Sequence, residues 1–361
     1  MRVIQVINDL ELKNGGAQKI VCKLASYLGV SGFEIHSIVL KKSRYDKIGY
    51  YSISTIFNLY FQLKKLQIKK YELIHVHLFP AVFYVRILQY FWPQTFIIFT
   101  EHSTQNNRRN RRLFYLLDRW IYSGLHKVVV ISNGVGESLL KYMPTIKDKL
   151  VLIYNGIEQA YSKNTEGKST LQVIDRKNIR AVSIGRLVNM KNFDLLIRYI
   201  DSFNKNSKEA RINLDIYGEG PEFENLKALI NSRDLDNCIM LKGYSDNIDF
   251  TSYSTFLLLS EYEGFGLAVL ESMSNGLICI VSDVDGLNEL CCHKSLNKGI
   301  FLVNPNSQDD FNSNLQTVLD NIDLWEIWSL NNIERASYFS DERMFQEYLT
   351  LYQNVYKKSR I

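Results

Sequence analysis

The sequence has few cysteines, and they follow no pattern that would build a zinc site or a disulfide framework. The five cysteines stand at positions 22, 238, 279, 291 and 292. Their spacings match neither two pairs of zinc ligands nor a regular set of disulfides. Because disulfides form mainly in oxidising compartments, we expect a protein of the reducing cytoplasm.

Long uninterrupted hydrophobic runs are also missing. The most apolar stretch, residues 78–99, is broken by Arg86, Gln89, Pro93 and Gln94, so it falls short of a membrane-spanning helix. A strand-like run begins at residue 2, without the charged and apolar segments of a secretory signal. We therefore expect a cytoplasmic protein that is soluble or attached peripherally to the inner face of a membrane.

The chain is long enough for two domains, and its charge is unevenly distributed. It has 361 residues, of which 46% are hydrophobic, and a net charge of +5. Residues 1–155 contain 22 basic and 9 acidic side chains, a net charge of +13, whereas the remainder carries −8. A basic half of this kind suits nucleic acid, anionic lipid or a phosphorylated substrate, and composition does not choose among them.

Apolar strand-like runs alternate with helix-like segments in both halves of the chain. Continuous runs rich in β-branched residues are typical of parallel strands buried on both faces. This alternation predicts an α/β protein with two Rossmann-like, doubly wound domains. We expect the first domain at residues 1–157, a polar linker at 158–178 and the second domain at 179–339. Residues 340–361 are predicted to form a C-terminal helix that packs back on the first domain.

One loop of the second half places two cations where helix physics disfavours them. The sequence "IGRLVNMKNFDLLI" at residues 184–197 resembles a strand end, a short loop and the start of an amphipathic helix. Arg186 and Lys191 would then lie near a helix N-terminus, where the helix dipole disfavours positive charge. Either both cations are solvated, or an anion normally lies between them.

A second loop of this half has the features of an anion site. In "SEYEGFGLAVLESMSNG" at residues 260–276, a helix that begins near Phe265 would expose the backbone amides of Phe265, Gly266 and Leu267. Glu263 precedes these amides, and Glu271 follows about 7.5 Å along the helix axis from Gly266. Two solvated glutamates would explain these acids equally well if Arg186 and Lys191 were not nearby in the fold.

Several stretches together resemble the retaining, GT-B-fold glycosyltransferases of family 4. They are "NGGAQK" (14–19), "TEHS" (100–103), "IYNGI" (153–157), "SIGRLVNMKNFDLLI" (183–197), "DIYGEGPEFENL" (215–226), "SEYEGFGLAVLESMSNG" (260–276) and "VSDVDGLNEL" (281–290). The resemblance covers most of the chain and implies two Rossmann-like domains that face a central cleft. It implies transfer of a sugar, of hexose type, from a nucleoside diphosphate sugar to a glycan acceptor, without metal or cofactor.

The resemblance also implies a role for each motif residue. Arg186 and Lys191 would bind the donor diphosphate, Glu263 the transferred sugar, and Glu271 the ribose hydroxyls. The amides of Phe265, Gly266 and Leu267 would complete the phosphate site. Gly15 and Gly16 would form a turn close to donor and acceptor, and His102 would contact the donor sugar, although a tight turn and a structural histidine explain these three residues without the family.

We expect no metal site in the chain. His75 and His77 alternate on one predicted strand, but no carboxylate or cysteine cluster accompanies them. Closely spaced aspartates at positions 234 and 236 and at 283 and 285 are common in turns. We interpret the histidines as packing or cleft-lining residues and both aspartate pairs as turn residues.

The first half suggests how an acceptor is reached. Arg108, Arg109, Arg111 and Arg112 precede a helix, and residues 79–92 are unusually aromatic. These features would suit either a phosphate-bearing acceptor or an anionic inner-membrane surface, and a solvated loop and a buried helix are the simpler alternatives. Because family members extend lipid-linked glycans, we expect a lipid-linked saccharide of bacterial cell-surface polysaccharide synthesis as acceptor.

Two other functions remain open from the sequence. One is a nucleotide-sugar epimerase or hydrolase on the same fold, against which the arrangement of Arg186 and Lys191 argues. The other is a basic nucleic-acid-binding protein, but no recognition motif supports it and the acidic second half opposes it. We therefore expect a nucleotide sugar and a glycan, and no nucleic acid, as partners.

Overall fold

The chain divides into two compact units. The structure, a computed structural model, describes residues 2–11, 15–40, 51–68, 72–159, 175, 177–207, 210–291 and 299–357. Unit 1 comprises Met1–Gly156 together with Asp341–Ile361, and unit 2 comprises Ile157–Ser340. Most of the linker expected at residues 158–178 lies outside the described residues.

Unit 1 is built on a parallel sheet with helices on both faces. Its strands are β1 (Arg2–Ile7), β2 (Glu34–Val39), β3 (Leu73–His77), β4 (Phe96–Glu101), β5 (Lys127–Val130) and β6 (Leu150–Leu152). The helices between them are α1 (Gly16–Val30), α2 (Ile53–Lys65), α3 (Ala81–Leu88), α4 (Arg112–Ser123) and α5 (Asn133–Tyr142). β3 is buried at every position, as expected for a strand covered on both faces.

The strand order of unit 1 decides which face each helix covers. The sheet runs β2-β1-β3-β4-β5-β6. Parallel crossovers are right-handed, so the helices that lead toward β6 (α2 to α5) cover one face and α1 covers the other. The direction of winding reverses between β1 and β3, which is where doubly wound sheets bind ligands at their carboxyl edge.

Unit 2 repeats this architecture. Its strands are β7 (Asn178–Ile184), β8 (Arg211–Tyr217), β9 (Ile239–Gly243), β10 (Thr255–Leu258), β11 (Ile278–Ser282) and β12 (Ile300–Val303). Its helices are α6 (Phe193–Asn206), α7 (Phe223–Ser232), α8 (Leu267–Ser274), α9 (Asp285–Cys291), α10 (Gln308–Asp320) and α11 (Trp325–Ser337). The order β12-β11-β10-β7-β8-β9 places the reversal of winding between β7 and β10.

The last helix, α12 (Asp341–Lys357), belongs to unit 1. It packs on α1 through the stacked rings of Tyr27 and Phe345, whose centroids are 4.4 Å apart. The Lys23 ammonium lies 2.8 Å from the Asp341 carboxylate. On β3, Nδ1 of His75 lies 2.6 Å from the Tyr352 hydroxyl. Apolar stacking and buried polar contacts together hold α12 on the sheet of unit 1.

The predicted α/β class and the two parallel sheets are confirmed. The alternation read from the sequence did not include α10 and α11, which carry large apolar side chains into the core of unit 2, among them Phe311, Trp325 and Trp328. These helices follow β12 without further strands, so no strand–helix alternation marked them. In the described residues, no helix is both long and apolar enough to cross a membrane.

Of the four arginines expected to face an acceptor or a membrane, two are instead held in buried ion pairs, and these two do not form a solvated loop either. Arg108 pairs with Asp118, and their side chains are only 9% and 1% exposed. Arg109 pairs with Glu101, and these side chains are 7% and 8% exposed. Arg111 and Arg112 are exposed. Two of the four positive charges therefore balance buried carboxylates, and only the other two are available to a partner.

Candidate active site

The loop that follows β7 is fixed by hydrogen bonds from the loops beside it. Gly185 donates its amide to the Tyr217 carbonyl at 3.0 Å, and Leu187 donates to Glu219 at 2.9 Å. On the other side, the Glu261 amide donates to the Met190 carbonyl at 2.9 Å. Since β8 and β10 flank β7 in the sheet, these bonds tie the loop after β7 to the carboxyl ends of both neighbours.

Asn192 forms the transition from this loop to α6. Its backbone is left-handed, with φ 51° and ψ 38°, a conformation that asparagine tolerates better than most residues. Its side-chain amide donates to the Leu259 carbonyl at 3.0 Å. Lys191 ends a short 3₁₀ turn immediately before Asn192, so its position is set by the backbone on either side.

Lys191 and Glu263 form an ion pair at the reversal point of unit 2. Their side chains are 18% and 12% exposed, and the Ser260 hydroxyl donates to the same Glu263 oxygen at 2.9 Å. The residues are 72 positions apart in sequence and meet because they follow adjacent strands. The pair therefore presents a cation and a hydrogen-bond acceptor side by side at the carboxyl edge.

Arg186 lies on the same edge but is exposed. Burial raises the pKa of the Tyr262 hydroxyl, Glu261 raises it further, and the positive charge of Arg186 lowers it. Arg186 is thus close enough to the loop after β10 to act on it electrostatically. The structure brings both cations of the loop after β7 near the loop that carries Glu263.

Helix α8 begins two residues later than the sequence predicted. Its first residue is Leu267, and Gly266 is the N-cap, with φ 81° and ψ 52°. Phe265 is buried and packs against Phe339 with ring centroids 5.3 Å apart. A Cβ on Gly266 would stand 2.3 Å from Leu287, so both backbone angle and space require glycine there. The amides of the first turn are consequently those of Leu267, Ala268 and Val269.

Two further contacts at this edge of unit 2 were not predicted from the sequence. A Cβ on Gly286, at the start of α9, would lie 2.2 Å from the Glu263 carbonyl oxygen, so only glycine lets α9 approach this backbone. Burial raises the pKa of Tyr244, and the charges of Asp246 and Glu271 raise it further. Tyr244 follows β9 and lies close to Glu271. Tyr244 lies in none of the stretches that carry the resemblance, and Gly286 lies in the stretch at residues 281–290 but was assigned no role there.

In unit 1, the partly exposed His102 belongs to a group of three imidazoles, of which those of His75 and His77 are fully buried. Nδ1 of His77 lies 3.2 Å from Nε2 of His102, and the rings of His75 and His77 are 4.0 Å apart. Burial lowers the pKa of His102 to about 4 and that of His75 to about 3, and it also lowers the pKa of His77. All three rings are therefore neutral near pH 7, and His102 can form hydrogen bonds without carrying charge.

Gly15 and Gly16 lie at the start of α1, after β1. Gly15 has φ 148°, which few residues other than glycine adopt, and Gly16 is the first helical residue. Gln18 in the first turn donates to the Asp9 carboxylate at 3.2 Å. This turn lies at the reversal point of unit 1, and His102 follows β4, one strand beyond β3.

The predicted site residues therefore form two groups, one in each unit. Arg186, Lys191, Glu263, Gly266 and Glu271 lie at the carboxyl edge of unit 2. Gly15, Gly16 and His102 lie at the carboxyl edge of unit 1. Within the described residues, no group of three or more His, Cys, Asp or Glu side chains has metal-binding geometry.

Two family models match adjoining parts of the sequence. A model described as "Glycosyltransferase Family 4" matches residues 14–161, and one described as "Glycosyl transferases group 1" matches residues 168–335. The first thus lies in unit 1 and the start of unit 2, and the second lies within unit 2. Together they cover nearly all of the chain, including both groups of predicted site residues.

The chain is also similar in sequence to named glycosyltransferases. The chain is 38% identical over 115 residues to a Bacillus subtilis poly(glycerol-phosphate) α-glucosyltransferase, a match that spans 31% of this chain and only 17% of that protein. It is 26% identical over 282 residues, 74% of this chain and 70% of the other, to the Escherichia coli UDP-Gal:α-D-GlcNAc-diphosphoundecaprenol α-1,3-galactosyltransferase.

Among solved structures, Anabaena HepE in complex with UDP and glucose superimposes with a TM-score of 0.76 and 15% identity, covering 98% of this chain and 99% of the other. This similarity concerns the fold, because sequence identity is low.

Proposed function

Because this chain belongs to the group 1 and family 4 glycosyltransferases and has their GT-B fold, we propose that it transfers a hexose from a nucleoside diphosphate sugar. The acceptor is a glycan, and the anomeric configuration is retained. The observation that carries this proposal is the meeting of Lys191 and Glu263 beside the start of α8, at the reversal point of unit 2. Ligands of doubly wound sheets bind at such points.

Lys191 and Arg186 bind the donor diphosphate in this proposal. Breaking the bond between sugar and phosphate places negative charge on the departing nucleoside diphosphate. Two cations and the amides of Leu267 and Ala268 at a helix N-terminus stabilise such charge. The loop after β7 is held by backbone hydrogen bonds from both sides, so the cations need little rearrangement. The charge arrangement therefore favours departure of the diphosphate.

Glu263 and Glu271 bind hydroxyl groups on either side of the phosphates. Ser260 holds Glu263 next to Lys191, which suits a ligand whose sugar hydroxyls adjoin a phosphate. Glu271 lies four residues after Leu267 and therefore about 6 Å further along the same side of α8. In a nucleoside diphosphate the ribose lies beyond the phosphates, and the position of Glu271 further along α8 suits a contact with it. Glu263 consequently contacts the transferred sugar and Glu271 the ribose.

The candidate residues of unit 1 have roles of their own in this proposal. His102, neutral near pH 7, offers a hydrogen bond to a hydroxyl of the donor sugar without adding charge. Gly15 and Gly16 leave space for donor and acceptor because they carry no side chains. His77 contacts His102 directly and thereby orients its ring.

A lipid-linked saccharide is the proposed acceptor. The name of the Escherichia coli relative specifies an acceptor linked to diphosphoundecaprenol and a UDP-galactose donor, and the HepE structure contains UDP and glucose. We extend these features to this chain as a proposal. It would then act in bacterial cell-surface polysaccharide synthesis, in the cytoplasm and peripherally at the inner face of the membrane.

Nucleotide binding provides the first test of this function. One of UDP, GDP, ADP and TDP is expected to raise the Tm of the protein by about 5–10 °C at a hundredfold excess over its Kd, because it binds only the folded state. With the matching sugar donor, free diphosphate should accumulate only when a glycan acceptor is present. A protein that no diphosphate stabilises would contradict the proposal, and release without acceptor would indicate a hydrolase.

Transfer is expected to continue when metal ions are chelated. Lys191, Arg186 and the start of α8 supply the positive potential that a divalent cation provides in other transferases. Turnover should therefore be the same in excess EDTA and in added Mg²⁺ or Mn²⁺, with initial rates as the measurement. A loss of turnover in EDTA that Mg²⁺ or Mn²⁺ restores would show that the cationic loop does not replace a metal.

A further inference from the structure

Helix α2 is apolar on two opposite sides. Thr55, Leu59 and Leu63 are buried and face the sheet of unit 1. Ile53, Phe57 and Phe61, two residues earlier in each case, are exposed to 78%, 58% and 61%. At 100° per residue this second stripe points almost directly away from the sheet. A helix that is apolar on both sides is stable when a second apolar environment covers its outer side.

The neighbouring helices extend this exposed surface. Phe91, which follows α3, is exposed, and its ring lies 5.1 Å from that of Tyr60 on α2. On α4, Leu113 and Leu116 are exposed to 83% and 66% and lie opposite the buried Tyr122. Because α2, α3 and α4 cover the same side of the sheet, these side chains share one outer surface, here named the α2–α4 face. A patch of this kind marks an interaction site.

Within the described residues of helices α2, α3 and α4 and their ends, the exposed charges have one sign. Lys64, Lys65, Arg111, Arg112 and Arg119 are exposed on the α2–α4 face. The three helices contain a single acidic residue, Asp118, which is buried and paired with Arg108. Lys65 continues the i, i+4 series of Ile53, Phe57 and Phe61, so the apolar stripe ends in a cation. Apolar and aromatic side chains beside lysine and arginine are typical of segments that lie in the lipid headgroup region.

We infer that the α2–α4 face binds an anionic lipid bilayer, with Phe57, Phe61 and Phe91 entering the headgroup boundary and the five cations contacting lipid phosphates. A second copy of the chain would place like charges opposite one another, whereas an anionic leaflet complements them. This inference specifies the surface behind the proposed membrane attachment and rests on that part of the proposed function. It requires no sugar transfer, so its test is independent of activity.

Vesicle flotation of the full chain tests this surface. Wild-type protein should float with vesicles of phosphatidylglycerol and phosphatidylcholine, and binding should weaken at high salt and with phosphatidylcholine alone. Phe57→Ser with Phe61→Ser, and separately Lys64→Gln with Lys65→Gln, should each lower vesicle affinity about thirtyfold. The matched control is Ile327→Ser with Leu330→Ser, two exposed apolar side chains on α11 of unit 2, which should bind as wild type.

Circular dichroism and the Tm with bound nucleotide confirm that each variant is folded. Vesicle binding by the α2 variants that equals wild type would overturn the assignment of this surface while leaving membrane attachment intact. Wild-type protein that does not float would overturn attachment itself, with transfer to a soluble glycan still measurable. Light scattering that shows a dimer in wild type and monomers in the α2 variants, without flotation, would assign the face to self-association instead.

Discussion

Replacing Lys191 with alanine is expected to lower kcat by about 10²–10³-fold, the loss typical of removing one group that stabilises transition-state charge in a site that excludes water. Lys191 is largely buried and lies beside Glu263. The variant loses a cation near the leaving diphosphate and leaves a carboxylate there, and both changes oppose the developing charge. Arg186→Ala should cost about tenfold, since solvent screens an exposed charge.

The control for this prediction is Lys227→Ala, which removes an exposed lysine from α7 in the same unit. Steady-state kinetics and the Tm are measured for all three variants. A structural role for Lys191 alone would lower the Tm and leave kcat per folded molecule unchanged. Near-normal kcat in both Lys191→Ala and Arg186→Ala would refute the assignment of these cations to the diphosphate.

A second comparison separates the two functions of the ion pair. Glu263→Gln keeps the shape of the side chain but removes its charge, so Lys191 loses its partner while the donor phosphates remain available to it. If Glu263 binds the transferred sugar, this variant should lose kcat while its affinity for the bare diphosphate stays the same or increases. A loss of diphosphate affinity would show that Glu263 supports Lys191 instead of contacting sugar.

Local patterns predicted the strands and most helices, because apolar periodicity reflects burial within a short segment. They placed Arg186 and Lys191 after a strand and Glu263 before a helix, which is where the structure has them. The meeting of Lys191 with Glu263 requires β7 and β10 to be neighbours. That adjacency depends on the path of the whole chain, so local pattern could not show it.

The start of α8 and the arginines before α4 show where prediction from the local sequence fails. The sequence predicts a helix that begins near Phe265, but Phe265 packs on Phe339, 74 residues away, and Gly266 caps the helix in a left-handed conformation. Arg108 and Arg109 pair with Asp118 and Glu101, which lie outside the arginine-rich loop, 10 and 8 residues away in sequence. In each case a tertiary contact decided the outcome.

Replacing Arg109 with methionine is expected to destabilise unit 1 by about 3–5 kcal/mol, because it leaves the Glu101 carboxylate buried without its cation. Glu101 also accepts a hydrogen bond from Tyr122 at 3.4 Å. Burial lowers the pKa of Arg109, but the negative charge of Glu101 raises it, with a net increase. Arg109 is therefore charged in the folded protein, and the penalty comes from the buried carboxylate that loses its partner.

Arg112→Met is the matched control, since this arginine is exposed three residues further along and should change the free energy of unfolding by less than about 0.5 kcal/mol. The measurement is urea unfolding followed by circular dichroism. Combining Arg109→Met with Glu101→Gln should recover a large part of the lost stability, because no unpaired charge remains. If Arg109→Met is as stable as Arg112→Met, the buried pair does not hold this segment, and Arg109 would again be available to an acceptor or a membrane.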